Sequence, residues 1–186
     1  MKISIFKPSE NILNQWLSNR HQEAFSYSEV GATKADFPKG YNHDRNKCLL
    51  GTGDEVFEKA KKALQNWQHF PANWTKIYPN NGFKVNEEVV VLFHLFGLYW
   101  FNSCRVIYII DEDNRFGFAY GTLKNHVEKG EEIFFLERDD TGKVWYKIQA
   151  FSQPRFWMAR IGKPITRAFQ RKFVKNSFEA MQHAVK

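Results

Sequence analysis

Residues 102–154, "NSCRVIYIIDEDNRFGFAYGTLKNHVEKGEEIFFLERDDTGKVWYKIQAFSQP", decide the fold. Residues 100–110, 115–123, 132–138 and 143–151 are rich in Val, Ile, Phe, Tyr and Trp and are separated by turn chemistry, the pattern of antiparallel strands. "DEDN" (111–114) and "DDTG" (139–142) each lie between two such runs and predict hairpins. Alternation assigns the faces. Val144, Tyr146, Ile148 and Ala150 share one side of the last strand, opposite Lys143, Lys147 and Gln149. In "RFGFAYG" the large Phe116, Phe118 and Tyr120 point one way and Gly117, Ala119 and Gly121 the other, so something packs closely against the small face.

Upstream, residues 74–78 and 88–96 extend this meander, and a further strand is expected around 46–50. Three helices are expected. The first spans 9–21, with Ser9 as cap and Ile12, Leu13, Trp16 and Leu17 on one face. The second follows "GTGD", with Asp54 as cap and Val56, Phe57, Ala60, Ala63, Leu64 and Trp67 on one face. The third covers about 165–185 behind Pro164, with Phe169, Phe173, Val174, Phe178 and Met181 opposite Arg171, Lys172 and Lys175. "SYSEVGATKADFPKGYNHDR", at 26–45, reads as an ordered loop pinned to the body by its aromatics.

The chain has 186 residues, the size of one ordinary domain, and 17% aromatic content, more bulky apolar surface than a disordered chain carries. We expect a single domain over 1–186, residues 1–45 packing on a body of 46–186. "MKISIFKPSE" is too short in apolar residues for a secretion signal, and "EVVVLFHLFGLYWFNSC" is too interrupted for a spanning helix. Cys48 and Cys104 lie far apart with no CxxC or Cys/His cluster, so free thiols in a cytoplasmic protein are expected and no metal site. Gly51 and Gly53 follow a strand but lack the frame of a phosphate loop or a dinucleotide fingerprint, and no cofactor is expected. The net charge of +7 is regional: residues 141–178 hold nine Lys/Arg and no acid, which leaves 7 − 9 = −2 for the rest. That face reads as a solvated helix surface or as a patch for an anionic membrane, with Phe156, Trp157 and Met158 beside Arg155, Arg160 and Lys163. Nucleic acid is disfavoured, because no nucleic-acid motif accompanies the charge.

This order of elements predicts an α+β fold in which a curved antiparallel sheet wraps a long C-terminal helix, resembling the helix-grip architecture of the START and pollen-allergen type. At the level of motifs, "YSEVGATKADFPKGYNHDR", "LGTGDEVFEKAKKALQNWQHFPANW", "NSCRVIYIIDEDNRFGFAYGTLKNHVEKGEEIF" and "VWYKIQAFSQP" resemble, in order and spacing, the uncharacterised family called domain of unknown function nineteen-ninety, found in bacteria and plants. The resemblance covers nearly the whole chain. It implies no reaction. Among the residues it carries over are Tyr27, Gly31, Thr33, Arg105, Tyr120, Gly121, His126, Gly130 and Glu131.

A helix-grip fold implies a cavity between sheet and helix, and the expected partner is a hydrophobic or amphipathic small molecule. The candidate ligand-binding residues are Arg105, Tyr120, His94, Asn102, Tyr146 and Phe118. Arg105, inside "CRVIYII", either faces out or is a buried charge that needs an anion such as Glu131 or a ligand carboxylate. His94 is read as a core or cavity histidine sharing a face with Leu92 and Phe96. His126 and Glu131 are possible acid/base groups, but their stretch reads first as a solvated connection whose glutamate starts a strand. An enzyme using the same cavity and a peripheral membrane or assembly protein are the alternative functions.

Overall fold

Both hairpins form where the turn residues place them. The Asp139 carboxylate accepts hydrogen bonds from Thr141 N, Thr141 Oγ1, Lys143 N and Trp145 Nε1, while Gly142 takes a left-handed conformation (φ +78°) that a residue with a Cβ resists. From these turns a computed structural model, describing residues 2–19, 22–79, 82–155 and 163–186, builds one antiparallel sheet. Its strands are β1 (Lys2–Ser4), β2 (Asn42–Thr52), β3 (Thr75–Tyr78), β4 (Glu88–Leu95), β5 (Leu98–Asp111), β6 (Arg115–Thr122), β7 (Glu128–Arg138) and β8 (Lys143–Pro154). Their order is β2-β8-β7-β6-β5-β4-β3, and β1 pairs with the first part of β5, beyond the reach of β6. The helices are α1 (Glu10–Ser18), α2 (Asp54–Gln65) and α3 (Lys163–Ala184). The sheet curves around α3, the expected α+β helix-grip fold.

Large residues from the inner face of the sheet meet both α2 and α3. Phe57, Ala60, Ala63 and Leu64 of α2 and Phe173 and Met181 of α3 pack with Phe116, Phe118, Phe134, Leu136 and Tyr146. The outer face is covered in two places. Leu13 and Trp16 of α1 lie over Val90, Leu92 and Phe101, while Tyr27 and Phe37 of the 25–41 loop lie over Phe151. The small face of β6 is where that loop comes closest: a Cβ on Gly121 would stand 2.2 Å from Tyr27 Oη and 2.9 Å from Phe25.

Several boundaries differ from the sequence reading. Residues 42–45 belong to β2, because this polar edge strand pairs with β8 along its whole length. β7 begins at Glu128 and not at Glu132, so Glu131 sits inside a strand and not in a connection. Asp54 is the first residue of α2, behind Gly53, and caps nothing. β1 was not foreseen; three residues carry too little pattern to be recognised. Among the described residues no helix is long and apolar enough to cross a membrane.

Candidate functional site

Strand register arranges the inner face in rows. One row runs Asp44, Ala150, Glu132, Tyr120, Val106 across β2, β8, β7, β6 and β5. The next, two residues further along, runs Asn46, Ile148, Phe134, Phe118. A polar row therefore adjoins an apolar one. α2 packs over the apolar end, whereas over the polar end a space of about 920 Å³ separates the sheet from α3. Trp74, Phe93, Leu95, Trp100, Phe169 and Phe173 supply much of its apolar wall.

Two polar clusters open onto this space. In the first, Tyr120 Oη donates to Glu132 Oε2 at 2.8 Å. Burial, together with the charges of Glu128 and Asp44, pushes the Glu132 carboxyl up to about 7, although the Tyr120 bond acts the other way. Burial also raises the Tyr120 phenol well above its ordinary value. In the second cluster, Arg167 of α3 holds Asp44 through two N–H···O bonds of 2.6 Å and donates to Gln170 Oε1 at 2.9 Å. Gln170 Nε2 donates in turn to Glu128 Oε2 at 2.8 Å, and burial raises the Glu128 carboxyl as well. This network ties α3 to β2 and β7 across the cavity.

The structure distributes the sequence candidates over three places. Tyr120, Asn102 and His126 line the cavity. Asn102 is buried; its Nδ2 donates to Trp100 O at 3.3 Å and its Oδ1 accepts from Val127 N at 3.4 Å. His126 Nδ1 lies 3.0 Å from Glu128 N and 3.1 Å from Glu128 O, and burial lowers the ring to about 4. Tyr146 and Phe118 share the inner face but lie in the solid core, Tyr146 Oη being 3.0 Å from Ser177 Oγ of α3. His94, Arg105 and the Glu131 carboxylate are elsewhere.

His94 stands exposed on the outer face, stacked on its cross-strand neighbour Tyr99 at 4.4 Å. Its expected inward position fails because β4 is apolar on both faces: Val89, Val91 and Phe93 point in, while Val90 and Leu92 point out under α1. Alternation cannot distinguish the faces of such a strand. Arg105 also faces outward, but residues 23–25 cover it. It pairs with Glu88, donates to Glu23 O at 2.7 Å and lies over the Phe25 ring. Its partner is thus Glu88 and not Glu131, and it does not reach the cavity. A bulge after Val106 then changes the phase of β5, turning Tyr108 outward and Ile109 inward.

Glu131 borders the cavity, yet both of its carboxylate oxygens are engaged on the outer face. Oε2 accepts from Tyr27 Oη at 2.8 Å and Gly31 N at 2.7 Å; Oε1 accepts from Thr33 N at 3.0 Å and Thr33 Oγ1. Its carboxylate and His126 are not brought together. The cavity carboxyls are instead Glu132, Glu128 and Asp44, which the sequence reading did not select. The available signal was parity: Glu132 lies two and four residues before Phe134 and Leu136, and so on their face. Among the described residues no three His, Cys, Asp or Glu side chains are placed to hold a metal ion.

Comparison with solved structures supports the fold. Hypothetical protein jhp0584 from Helicobacter pylori superposes with a TM-score of 0.54 at 15% identity, over 88% of this chain and 95% of that one. Ara h 8.0201 does so at 0.54 and 14% identity, over 78% and 98%. In sequence, a UPF0548 protein of Dictyostelium discoideum is 40% identical over 96% of this chain and 94% of its own length. A UPF0548 protein of Deinococcus radiodurans is 32% identical over 84% and 85%. The model of the family described as Domain of unknown function (DUF1990) matches residues 26–180, and the chain belongs to that family.

Proposed function

We propose that this protein binds an apolar or amphipathic small molecule between the inner face of the sheet and α3. One observation carries the reading: the space of about 920 Å³ at one end of a core whose other end is packed solid by α2. Ligand cavities commonly measure roughly 300–1,000 Å³, with apolar walls and a few placed polar groups. Aromatic walls with Glu132, Tyr120, Asn102 and His126 between them have that composition. The exposed Phe96 and Ile165 stand at the same cavity and extend its apolar lining toward solvent.

Native mass spectrometry of freshly purified protein tests this directly. A bound small molecule, released on unfolding and displaceable by a neutral apolar fluorophore such as N-phenyl-1-naphthylamine, is the expected result. A chain that carries no adduct and takes up no fluorophore would sink the proposal.

An enzyme in the same cavity is a second reading. The observation that favours it is the Tyr120–Glu132 hydrogen bond of 2.8 Å at the cavity wall, where burial raises the Glu132 carboxyl toward the range suited to proton transfer near neutrality. Of the two acid/base candidates, His126 lines the cavity, and Glu132, bonded to Tyr120, takes the place of Glu131. For the membrane reading, α3 exposes Arg171, Lys172 and Lys175, while residues 156–162, which include Phe156, Trp157, Met158 and Arg160, lie outside the described residues.

A further inference from the structure

We infer that the cavity selects a cationic amphiphile, an apolar body carrying a protonated amine, and seats the ammonium against Glu132 and Tyr120. The inference rests on the ligand-binding reading above and adds the charge of the ligand to it.

The polar groups of the cavity are unevenly provided with partners. Asp44 is fully engaged by the two-pronged guanidinium of Arg167. Glu128 accepts from Gln170. Glu132 accepts one hydrogen bond, from Tyr120, and among the described residues no lysine, arginine or histidine pairs with it. It nevertheless lines the cavity, and Tyr120, to which its carboxylate is bonded, lines it too. On the sheet side, the carboxyls of Asp44, Glu128 and Glu132 stand against one guanidinium already committed to Asp44, which makes the interior short of positive charge.

A carboxyl in this position stays protonated or acquires a cation, because isolated charge in an apolar surrounding is costly. An ammonium group meets the need: it donates to Glu132 and to the phenol oxygen of Tyr120, while its apolar body lies along Trp74, Phe93 and Phe173. An alcohol can exchange hydrogen bonds there but adds no charge attraction. A carboxylate head would meet charge of its own sign. Arg171 and Lys175 also border the cavity, but they are exposed on α3, where water weakens their pull relative to a group in the interior.

Three ligands of one chain length separate these cases: dodecylamine, dodecanol and sodium dodecanoate, each below its solubility or micelle limit, competing for N-phenyl-1-naphthylamine bound to the full chain at neutral pH. The expected order is amine, alcohol, acid, with the amine at least about ten-fold tighter than the alcohol, the effect of one charge-assisted hydrogen bond. In Glu132→Gln the ratio of amine to alcohol affinity should fall toward one. If the variant does not fold, the order measured on the unmodified protein still decides. Dodecanoate binding as tightly as dodecylamine would overturn the charge assignment and leave the cavity reading standing. Failure of all three ligands and of the fluorophore would overturn both.

Discussion

At the scale of single residues, two neighbouring glutamates show how much one step along a strand decides. Glu131 and Glu132 have the same side chain and face opposite sides of β7, so one fastens the 25–41 loop through four bonds while the other opens onto the cavity. Nothing in "GEE" itself separates them; the parity of Phe134 and Leu136 does. His69 is a different case. It is fully buried between Phe70 and Phe134, at ring distances of 4.6 and 4.7 Å, with neither ring nitrogen hydrogen-bonded, and burial lowers it to about 3. Since its folded value lies below the ordinary 6.5, its contribution is fully present above pH 6.5 and is lost as pH falls toward 3. From pH 6.5 to 5 that loss is about 2 kcal/mol, at ~1.4 kcal/mol per unit. His126, lowered to about 4, acts in the same direction. Glu132, raised to about 7, acts in the opposite one, its contribution being present below its ordinary 4.5 and lost as pH rises through 7. Urea unfolding of His69→Leu at pH 7 and pH 5 should therefore show a flatter pH dependence than the unsubstituted protein. Equal slopes would mean that His69 gains its proton in the folded state near its ordinary value.

At the scale of elements, the strands other than β1 and the helix α3 were legible from alternation, helical periodicity and turn residues, and the places where that reading failed have physical causes. β4 is buried on both faces at its start, so its alternation carries no information about which side is inside. β5 contains a bulge, which reverses the faces of everything after Val106. The small face of β6 was read correctly, and the loop that covers it comes from about ninety residues away, as Tyr27 and Phe25 over Gly121 show. Gly121→Ala should push that loop outward, because Tyr27 is held by Glu131 and cannot simply move aside. We expect a loss of about 1–3 kcal/mol, the usual cost of overpacking, with amide exchange rising first in residues 26–34. Unchanged stability together with unchanged exchange would show that the loop is not fastened there.

At the scale of the whole molecule, the helix-grip arrangement creates a division within one core. α2 seals one end of the curved sheet with Phe57, Ala60 and Leu64, and α3 spans the other end at a distance, held by the Arg167–Asp44 pair. Ala150 lies at the cavity in the same row as Asp44 and Glu132, and a large residue there should fill the space without disturbing the packed end. Ala150→Trp is expected to lower fluorophore uptake about ten-fold or more while leaving the unfolding midpoint near that of the unsubstituted protein. Full uptake by a folded variant would place the fluorophore elsewhere. Alternation, helical periodicity and turn chemistry by themselves determined the α+β class, the hairpins and the amphipathic α3, because each is written in residues close together in the chain, and the quoted motifs carried the family resemblance. Which carboxyls face the cavity, which arginine pairs with which acid, and where the core is left open were decided only by tertiary structure. Each of these depends on strand register, a bulge and the seating of two helices, which bring together side chains as distant in sequence as Asp44 and Arg167.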